Sequence, residues 1–532
     1  MDCCCHMEQG TSFRLHESID DIMPDTKERS GMPKVTIKDT VYTVAQDSCL
    51  GNLLAQQGYI GMPCGGHGRC GKCRVRVEGN TGSLSDREKS LLTAAEINSG
   101  IRLACLARVQ EDCIVFPEET DSGQIRTEET LPDMKKNPSF ASFGAAVDIG
   151  TTTLAAGLYD VRGNLLARAS GMNPQAGWGA DVVSRIEADL AGMGTALTEA
   201  VQSAVNGLLE EMTASAGVPG EEIGEIVVTG NTVMLHMFSG SSTEPLSHAP
   251  FQAKRLFDES LPAASLGLGQ TAPRARVYLP PCVSAFVGAD LVTALLASGI
   301  CASDRTQLLA DIGTNGEMAL VHKGELLFCS TAAGPAFEGA GISMGMNGRK
   351  GAIDKVSVCG GKLTVHVLGD GTPQGICGSG VVDAIACLLE TGVMDETGYM
   401  EDEKALICPP VSITLEDVRK VQLAKGAIHA GIRTLLHIAG LKEEDVDSLQ
   451  IAGGFGSYLN VANAGRIGLI PAELVPRVRV IGNAALTGAA MLLLDRDLRK
   501  VCQEYAGCGK VAELSSHAYF AEEYIERMLF PV

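Results

Sequence analysis

Two widely separated stretches of this chain spell the same structural device, so any fold it adopts must place them as equivalents. Residues 145–149 form an apolar strand interrupted by Asp148; it enters the turn Gly150-Thr151-Thr152-Thr153, returns over 154–159, turns at 162–164 and continues over 165–169. Residues 308–312, interrupted by Asp311, enter Gly313-Thr314-Asn315-Gly316, return over 317–321, turn at Lys323-Gly324 and continue over 325–329. Short apolar runs separated by Gly/Thr/Asn turns read as antiparallel strands. Each unit precedes a helix (180–190; 380–390) and then a longer helix (195–216; 415–439). Each then has a strand ending in a glycine turn: 225–229 before Gly230-Asn231-Thr232, and Ser448–Ala452 before Gly453-Gly454-Phe455-Gly456. A strand and a small-residue helix close each half (284–298; Ala484–Leu494). The pattern predicts a duplicated α/β fold of two β-β-β-α-β-α halves. The second half is the longer, largely through a glycine-rich stretch at 332–378.

The residue types in the turns suit phosphate chemistry. Tight turns aim backbone N–H groups and threonine hydroxyls at anionic oxygens. An aspartate from each half can hold Mg²⁺, directly or through water, and position an attacking water. Gly453 and Gly454 let the backbone approach a ribose and a purine closely. One Asp before a Gly is usually only a turn; two such hairpins and a Gly-Gly-Phe turn, in order, are more specific. Two such halves facing across a cleft resemble the ASKHA superfamily of actin, heat-shock chaperones and sugar kinases. The resemblance makes 147–153 and 310–316 its two phosphate loops and 451–455 its adenosine motif. It implies ATP and Mg²⁺ as ligands, with Asp148 and Asp311 catalytic. Gly150, Thr151, Thr152, Thr153, Asn231, Gly313, Thr314, Asn315 and Gly316 would lie at the phosphates, and Gly453, Gly454 and Phe455 at the adenosine. Glu317 is a candidate base or an ordinary strand carboxylate, and Glu338, in Phe337-Glu338-Gly339-Ala340, is similarly open.

Ahead of this repeat stands a cysteine cluster. Cys64, Cys70 and Cys73 form C-x5-C-x2-C in the loop Cys64-Gly65-Gly66-His67-Gly68-Arg69-Cys70-Gly71-Lys72-Cys73, with Cys105 further on. Four thiolates are what a [2Fe–2S] cluster requires, and glycines let the backbone wrap around the sulfurs. Zinc is the alternative, but it usually takes two Cys-x-x-Cys knuckles and there is one here. Gly66-x4-Gly71-Lys72 imitates a nucleotide P-loop, yet Cys73 stands where the magnesium-binding Ser or Thr belongs. The flanks predict a hairpin of Lys34–Ile37 with 41–44, a short helix at 52–57, a strand at 74–77 and a closing pair of strands within 106–115. That order resembles β-grasp ferredoxins, and the spacing is similar to the adrenodoxin-like version rather than the plant one. His67 reads as an exposed loop residue.

Composition bounds the rest. The first 30 residues carry no basic region followed by an apolar run, so the cytoplasm is the expected compartment. Eighteen cysteines there read as reduced thiols, and Cys301, Cys329, Cys359, Cys387 and Cys408 read as small core residues. The net charge of −21 gives no reason to seek nucleic acid or anionic membranes, and no long apolar run predicts a membrane span. The expected organisation is a disordered leader (1–32, in which Cys3-Cys4-Cys5-His6 is an alternative metal site and Met32 an alternative start), a ferredoxin-like domain (33–117), a Glu/Thr/Pro-rich tether (118–143) and two ATPase subdomains (144–306 and 307–532).

The combination resembles the reductive activators of corrinoid proteins. Asn173-Pro174-Gln175, Gly179-Ala180-Asp181-Val182, Gly230-Asn231-Thr232-Val233-Met234, Pro280-Pro281-Cys282, Gly288-Ala289-Asp290, Gly375-Ile376-Cys377-Gly378-Ser379-Gly380 and Gln422-Leu423-Ala424-Lys425 carry that likeness. Some members have an extra small domain where this chain has only 118–143. The resemblance implies ATP-dependent reduction of Co(II) to Co(I) in a methyltransferase corrinoid protein, a donor such as ferredoxin or flavodoxin, and a homodimer. Four other readings remain: a small-metabolite kinase, an activator of a radical dehydratase, a nucleotide-gated redox switch, and an ATP-driven electron donor to another low-potential enzyme. The first gives a cluster no role; the second shares a [4Fe–4S] cluster across a dimer instead of carrying a separate ferredoxin domain.

Overall fold

The computed structural model describes residues 32–531 except 39, 58, 61–65, 67, 69, 70, 72, 118–130 and 455–457. The leader, Cys64, Cys70, His67 and Phe455 therefore lie outside the described residues. Two compact units are present, and no described helix is long and apolar enough to cross a membrane.

The first unit is a five-stranded sheet ordered β2-β1-β5-β3-β4, from β1 (Lys34–Ile37), β2 (Thr40–Thr43), β3 (Arg74–Gly79), β4 (Ile101–Leu103) and β5 (Cys113–Pro117). β1 and β2 form the expected hairpin, and β5 lies parallel to β1, the crossed arrangement of a β-grasp. Val35, Ile37, Val75, Val77, Leu103 and Val115 are buried at alternate strand positions, and Leu50, Leu53 and Leu54 of helix α1 (Leu50–Gln56) are buried too. Each such side chain contributes about 1.5–3 kcal/mol on burial. The closing strands are not both within 106–115: β4 lies earlier and β5 runs later. The reason is Cys105, whose segment coils between them instead of extending; Ala104 N–H bonds to Cys73 O (2.9 Å) and Ala107 N–H to Leu103 O (3.1 Å). Helices α2 (Asp86–Leu91) and α3 (Ala94–Asn98) were not anticipated, although Ser85/Glu88 and Thr93/Glu96 are reciprocal capping boxes that specify both.

The second unit contains the duplication. β6 (Phe143–Ile149), β7 (Thr153–Asp160), β8 (Leu165–Met172), β9 (Ile223–Gly230), β10 (Glu259–Pro262) and β11 (Arg276–Leu279) make a sheet ordered β10-β11-β9-β6-β7-β8. β12 (Gln307–Ile312), β13 (Gly316–His322) and β14 (Glu325–Thr331) open the second half. Its glycine-rich insertion is a three-stranded sheet of β15 (Ala352–Cys359), β16 (Lys362–Val367) and β17 (Gly375–Ile376). After the hairpin β18 (Lys404–Cys408) and β19 (Val411–Thr414), β20 (Ser448–Ala452), β21 (Val478–Gly482) and β22 (Lys510–Val511) complete a sheet ordered β21-β20-β12-β13-β14-β22. Five strands of each sheet match in order, β9 being parallel to β6 as β20 is to β12 and each three-strand meander antiparallel, while β10 and β22 extend the two sheets at opposite edges.

Helices α4 (Val182–Ala188), α5 (Gly194–Ala216), α6 (Thr232–Phe238) and α7 (Ala289–Ser298) belong to the first half, and α8 (Gly378–Glu390), α9 (Leu415–Ile438), α10 (Val461–Arg466) and α11 (Ala484–Leu494) to the second. The closing helices cross over. Leu291 and Leu295 of α7 pack with Leu309, Ala319 and Phe328, whereas Leu486, Ala490 and Leu493 of α11 pack with Ala146, Val227 and Tyr278. The exchange of α7 and α11 between the sheets brings the two Asp-Gly turns onto one cleft. Residues 131–142, read from composition as tether, also pack here: Asn137 N–H bonds to Leu494 O (2.7 Å) and Phe140 is buried. Among the single cysteines, Cys329 and Cys387 are buried and Cys301 and Cys408 partly so; Cys359, at the end of an outer strand, is exposed instead.

Candidate functional site

A cleft of about 420 Å³ lies between the halves, lined by Asp148, Gly150, Thr151 and Thr153 from one side and by Asp311, Gly313, Thr314 and Asn315 from the other. Gly453, Gly454 and Asn231 also line it, so the sequence-read residues of both phosphate loops and the glycine turn converge. The turns close as expected, with Gly150 N–H bonded to Thr153 O (2.9 Å) and Gly313 N–H to Asn315 O (3.0 Å). Gly453 has φ +98°, and a Cβ there would lie 2.6 Å from Ile312 O; Gly454 faces open space. A backbone bare of side chains at the cleft wall leaves room for a flat ligand. Gly316 and Glu317 follow directly in β13, and Glu317 is buried against the cleft.

Several supports escaped the sequence reading. Asn483 caps α11 through Leu486 N–H (2.8 Å) while its Nδ2 donates to Asp148 Oδ2 (2.8 Å), so the second half orients the first half's aspartate. Asn173 Nδ2 donates to Gly150 O (2.8 Å), while Asn231, which the sequence already places at the phosphates, caps α6 and donates to Thr151 Oγ1 (3.2 Å). Arg185 is wholly buried behind the first loop, with Nη2 on Thr151 O (2.5 Å) and Nε on Gly179 O (3.0 Å). Burial lowers its pKa to about 9, against the pull of Asp181 and Glu338, so it stays charged at neutral pH and adds a positive field beneath the loop. Asp290, at the start of α7, also lines the cleft; spacing alone could not reveal it, because α7 is carried over from the neighbouring half.

The carboxylates crowd one another. Burial, then the charges of Asp290, Asp148 and Glu338, push Asp311 up to about 8. Glu317 and Asp290 form a buried pair, both raised, chiefly by burial. Such crowding fits a divalent cation, which would replace protons and relieve the repulsion. With amide donors on both turns, the site suits a phosphate–metal pair.

In the β-grasp unit, Cys73 and Cys105 are both buried, with Sγ atoms 3.3 Å apart and no disulfide between them. Cys49 lies behind, its Sγ 3.4 Å from Cys105 O. Gly66, Gly68 and Gly71 have φ of +78°, +64° and +63°, the left-handed turns expected of a loop wrapped around a group. Two adjacent, unbridged thiols at the end of such a loop fit two ligands of an iron–sulfur cluster.

Comparison with known proteins agrees with both halves of this picture. Residues 35–110 match the 2Fe-2S iron-sulfur cluster binding domain, 143–303 the RACo middle region and 305–532 the C-terminal domain of RACo, the ASKHA domain. The corrinoid activation enzyme RamQ of Eubacterium limosum is 32% identical over 582 aligned positions, covering 92% of this chain and 97% of that one. The chain belongs to the RACo family of reductive corrinoid activators. Another relative is the [Co(II) methylated amine-specific corrinoid protein] reductase of Methanosarcina barkeri, 28% identical over 51% of this chain and 56% of its own. Among solved structures, a reductive activator for corrinoid, iron-sulfur protein superposes with a TM-score of 0.71 at 29% identity, over 94% of this chain and 98% of that one. RACo membership thus settles a [2Fe–2S] domain followed by an ASKHA fold, and leaves the chemistry of the individual residues to the geometry.

Proposed function

We propose that this protein uses ATP to reduce the Co(II) form of a methyltransferase corrinoid protein to Co(I), passing one electron at a time through its [2Fe–2S] domain. The observation that carries the reading is the pairing, on one chain, of the Cys73–Cys105 thiols with a cleft between two duplicated halves, lined by Asp148, Asp311 and their Gly/Thr turns. The near full-length likeness to a corrinoid activation enzyme supports the choice of substrate.

The residues divide the work. Cys64, Cys70, Cys73 and Cys105 are the proposed cluster ligands, and the cluster when bound supplies reversible one-electron chemistry. Gly150, Thr151, Thr152, Thr153, Gly313, Thr314, Asn315 and Gly316 offer amides and hydroxyls to the phosphates, with Asn231 steadying Thr151. Asp148 and Asp311 would hold Mg²⁺, directly or through water, and position a water for attack, with Glu317 as the proposed acceptor of its proton. Gly453, Gly454 and Phe455 form the adenosine wall.

Reducing Co(II) is uphill for a ferredoxin-range donor, and each ~59 mV of one-electron gap is a tenfold disfavour. ATP helps only where its binding changes which state the partners prefer. A cleft whose halves contribute alternately to each loop's support is suited to such coupling, because closing on a nucleotide moves both halves together. We further propose domains at 33–117, 144–306 and 307–532, a ferredoxin or flavodoxin as electron source, a homodimer, and a cytoplasmic setting.

The test is anaerobic. Reduced protein is mixed with a Co(II) corrinoid protein from the same organism, and the cobalt spectrum is followed with and without Mg-ATP. Co(I) forming only with ATP is the expected result. No Co(I) with several corrinoid proteins, despite an intact cluster, would refute it in favour of a nucleotide-gated redox switch.

A further inference from the structure

Glu338 differs from the other carboxylates that line the cleft. Glu338, at the end of a short turn (Pro335–Glu338), reaches into the second phosphate loop and accepts from Thr314 N–H (3.0 Å) and Thr314 Oγ1 (2.8 Å). It also accepts from the hydroxyl of Thr152, in the first phosphate loop, and the two threonine hydroxyls are 3.2 Å apart. A single side chain therefore ties the loops of opposite halves together through a loop amide and both hydroxyls. These are the donors that a terminal phosphate oxygen takes, and a carboxylate offers them the same partner with the same sign of charge.

We propose that Glu338 is an internal stand-in for the terminal phosphate of ATP: a latch that takes the donors of both phosphate loops and must be ejected when a nucleoside triphosphate enters. The proposal rests on the nucleotide reading above and goes beyond it by naming the group that competes with the ligand and the segment that responds. Carboxylate and phosphate cannot share the donors, and their like charges repel, so triphosphate binding and the latch exclude one another.

The chain beyond Glu338 shows where ejection is felt. Residues 339–347 form a strap fixed at several points. Ser343 N–H and Oγ bond to Asp417, the capping residue in the first turn of α9, at 2.7 and 2.5 Å. Lys420 Nζ, one turn further along α9, bonds to Gly341 O (2.7 Å). Met346 N–H bonds to Ile376 O of β17 (2.9 Å), and Asn347 Nδ2 lies 2.9 Å from Met172 Sδ, on the opposite half. A strap held at α9, at the outer sheet and at the other half cannot release Glu338 without loading those anchors. Nucleotide occupancy thereby becomes a change in strap position, which is the form of coupling that ATP-driven reduction needs.

Glu338→Gln keeps the shape and the acceptor oxygen but removes the charge. The full chain is titrated calorimetrically with Mg²⁺ and a non-hydrolysable β,γ-imido ATP, and separately with AMP, which carries the adenosine and no terminal phosphate. The expected result is about tenfold or tighter binding of the triphosphate analogue by the variant, with AMP unchanged; tenfold corresponds to ~1.4 kcal/mol. Glu338→Asp, which shortens the reach by one methylene, should lie between. Hydrogen exchange over 339–347 should rise in the wild type on adding the analogue, and should already be raised in Glu338→Gln without it. Weaker analogue binding by Glu338→Gln would make Glu338 a metal or phosphate organiser and overturn the latch. Equal binding by wild type and variant, or exchange indifferent to the analogue, would also overturn it while leaving nucleotide binding intact. A wild type that binds neither analogue nor AMP would overturn the nucleotide reading, and the latch with it.

Discussion

Arg102 supports the cluster from outside the ligand set, and its removal should be costly. Its guanidinium bonds to both oxygens of Glu88 (2.8 and 3.1 Å), to Thr81 Oγ1 (2.9 Å) and to Gly82 O (2.9 Å). Glu88 is fully buried, and its other donors among the described residues are Ser85 and the Leu103 amide. Arg102 lies in β4, whose next residues lead straight into Cys105, so the pair fixes the strand that presents a proposed cluster ligand. Arg102→Met keeps the apolar stem and leaves a buried carboxylate without its cation, a loss of about 3–5 kcal/mol. Small domains hold roughly 5–15 kcal/mol in total, so the unit should survive weakened, with its melting lowered on the order of 15–30 °C. The assay is the visible absorbance of the cluster during anaerobic heating of the full chain.

The pH dependence of that loss is a second check. Burial alone would raise Glu88, but Arg102, Ser85 and the Leu103 amide outweigh it and hold its pKa below the usual carboxylate range. A depressed folded pKa contributes stability above the ordinary carboxylate pKa and loses it as pH falls through the folded value. The gap between wild type and Arg102→Met should therefore narrow in acid, below about pH 4. Adding Glu88→Gln to the variant should recover part of the loss, because no charge is then stranded. A cluster in Arg102→Met that survives to within a few degrees of wild type, or a gap that widens in acid, would refute the reasoning.

Three further outcomes are expected. Asp148→Asn and Asp311→Asn should each lower ATP turnover by about 10²-fold or more while leaving the cluster spectrum unchanged, and normal turnover in both would remove them from the site. Cys105→Ser should lose the [2Fe–2S] spectrum and keep nucleotide binding, measured by calorimetry; a retained spectrum would exclude that ligand. Because Asp311 is raised to about 8, its contribution to the cation-free fold is intact in acid and is lost as pH climbs towards 8. Melting curves should consequently show a larger gain from Mg²⁺ near pH 8.5 than near pH 6, and an equal gain would argue against a cation at Asp311.

Much of the architecture was legible because it repeats. A strand interrupted by Asp, a Gly/Thr turn and a returning strand form a local pattern, and finding it twice in the same order specified both sheets and the cleft. The cysteine spacing likewise announced a cluster loop, since ligand count and glycine freedom are local properties. What the sequence did not reveal was which distant groups support the loops. Asn483 reaches Asp148 and Asp290 enters the cleft because α11 and α7 cross between halves, and no spacing rule encodes an exchanged helix. Arg185 lies behind Thr151 only through packing, which no local pattern around it specifies. Glu338, one uncertain carboxylate in the sequence, gains its meaning only where two phosphate loops meet. Local periodicity and turn chemistry decide the elements; long-range packing decides which charges share a cleft, and there the electrostatics that govern function are set.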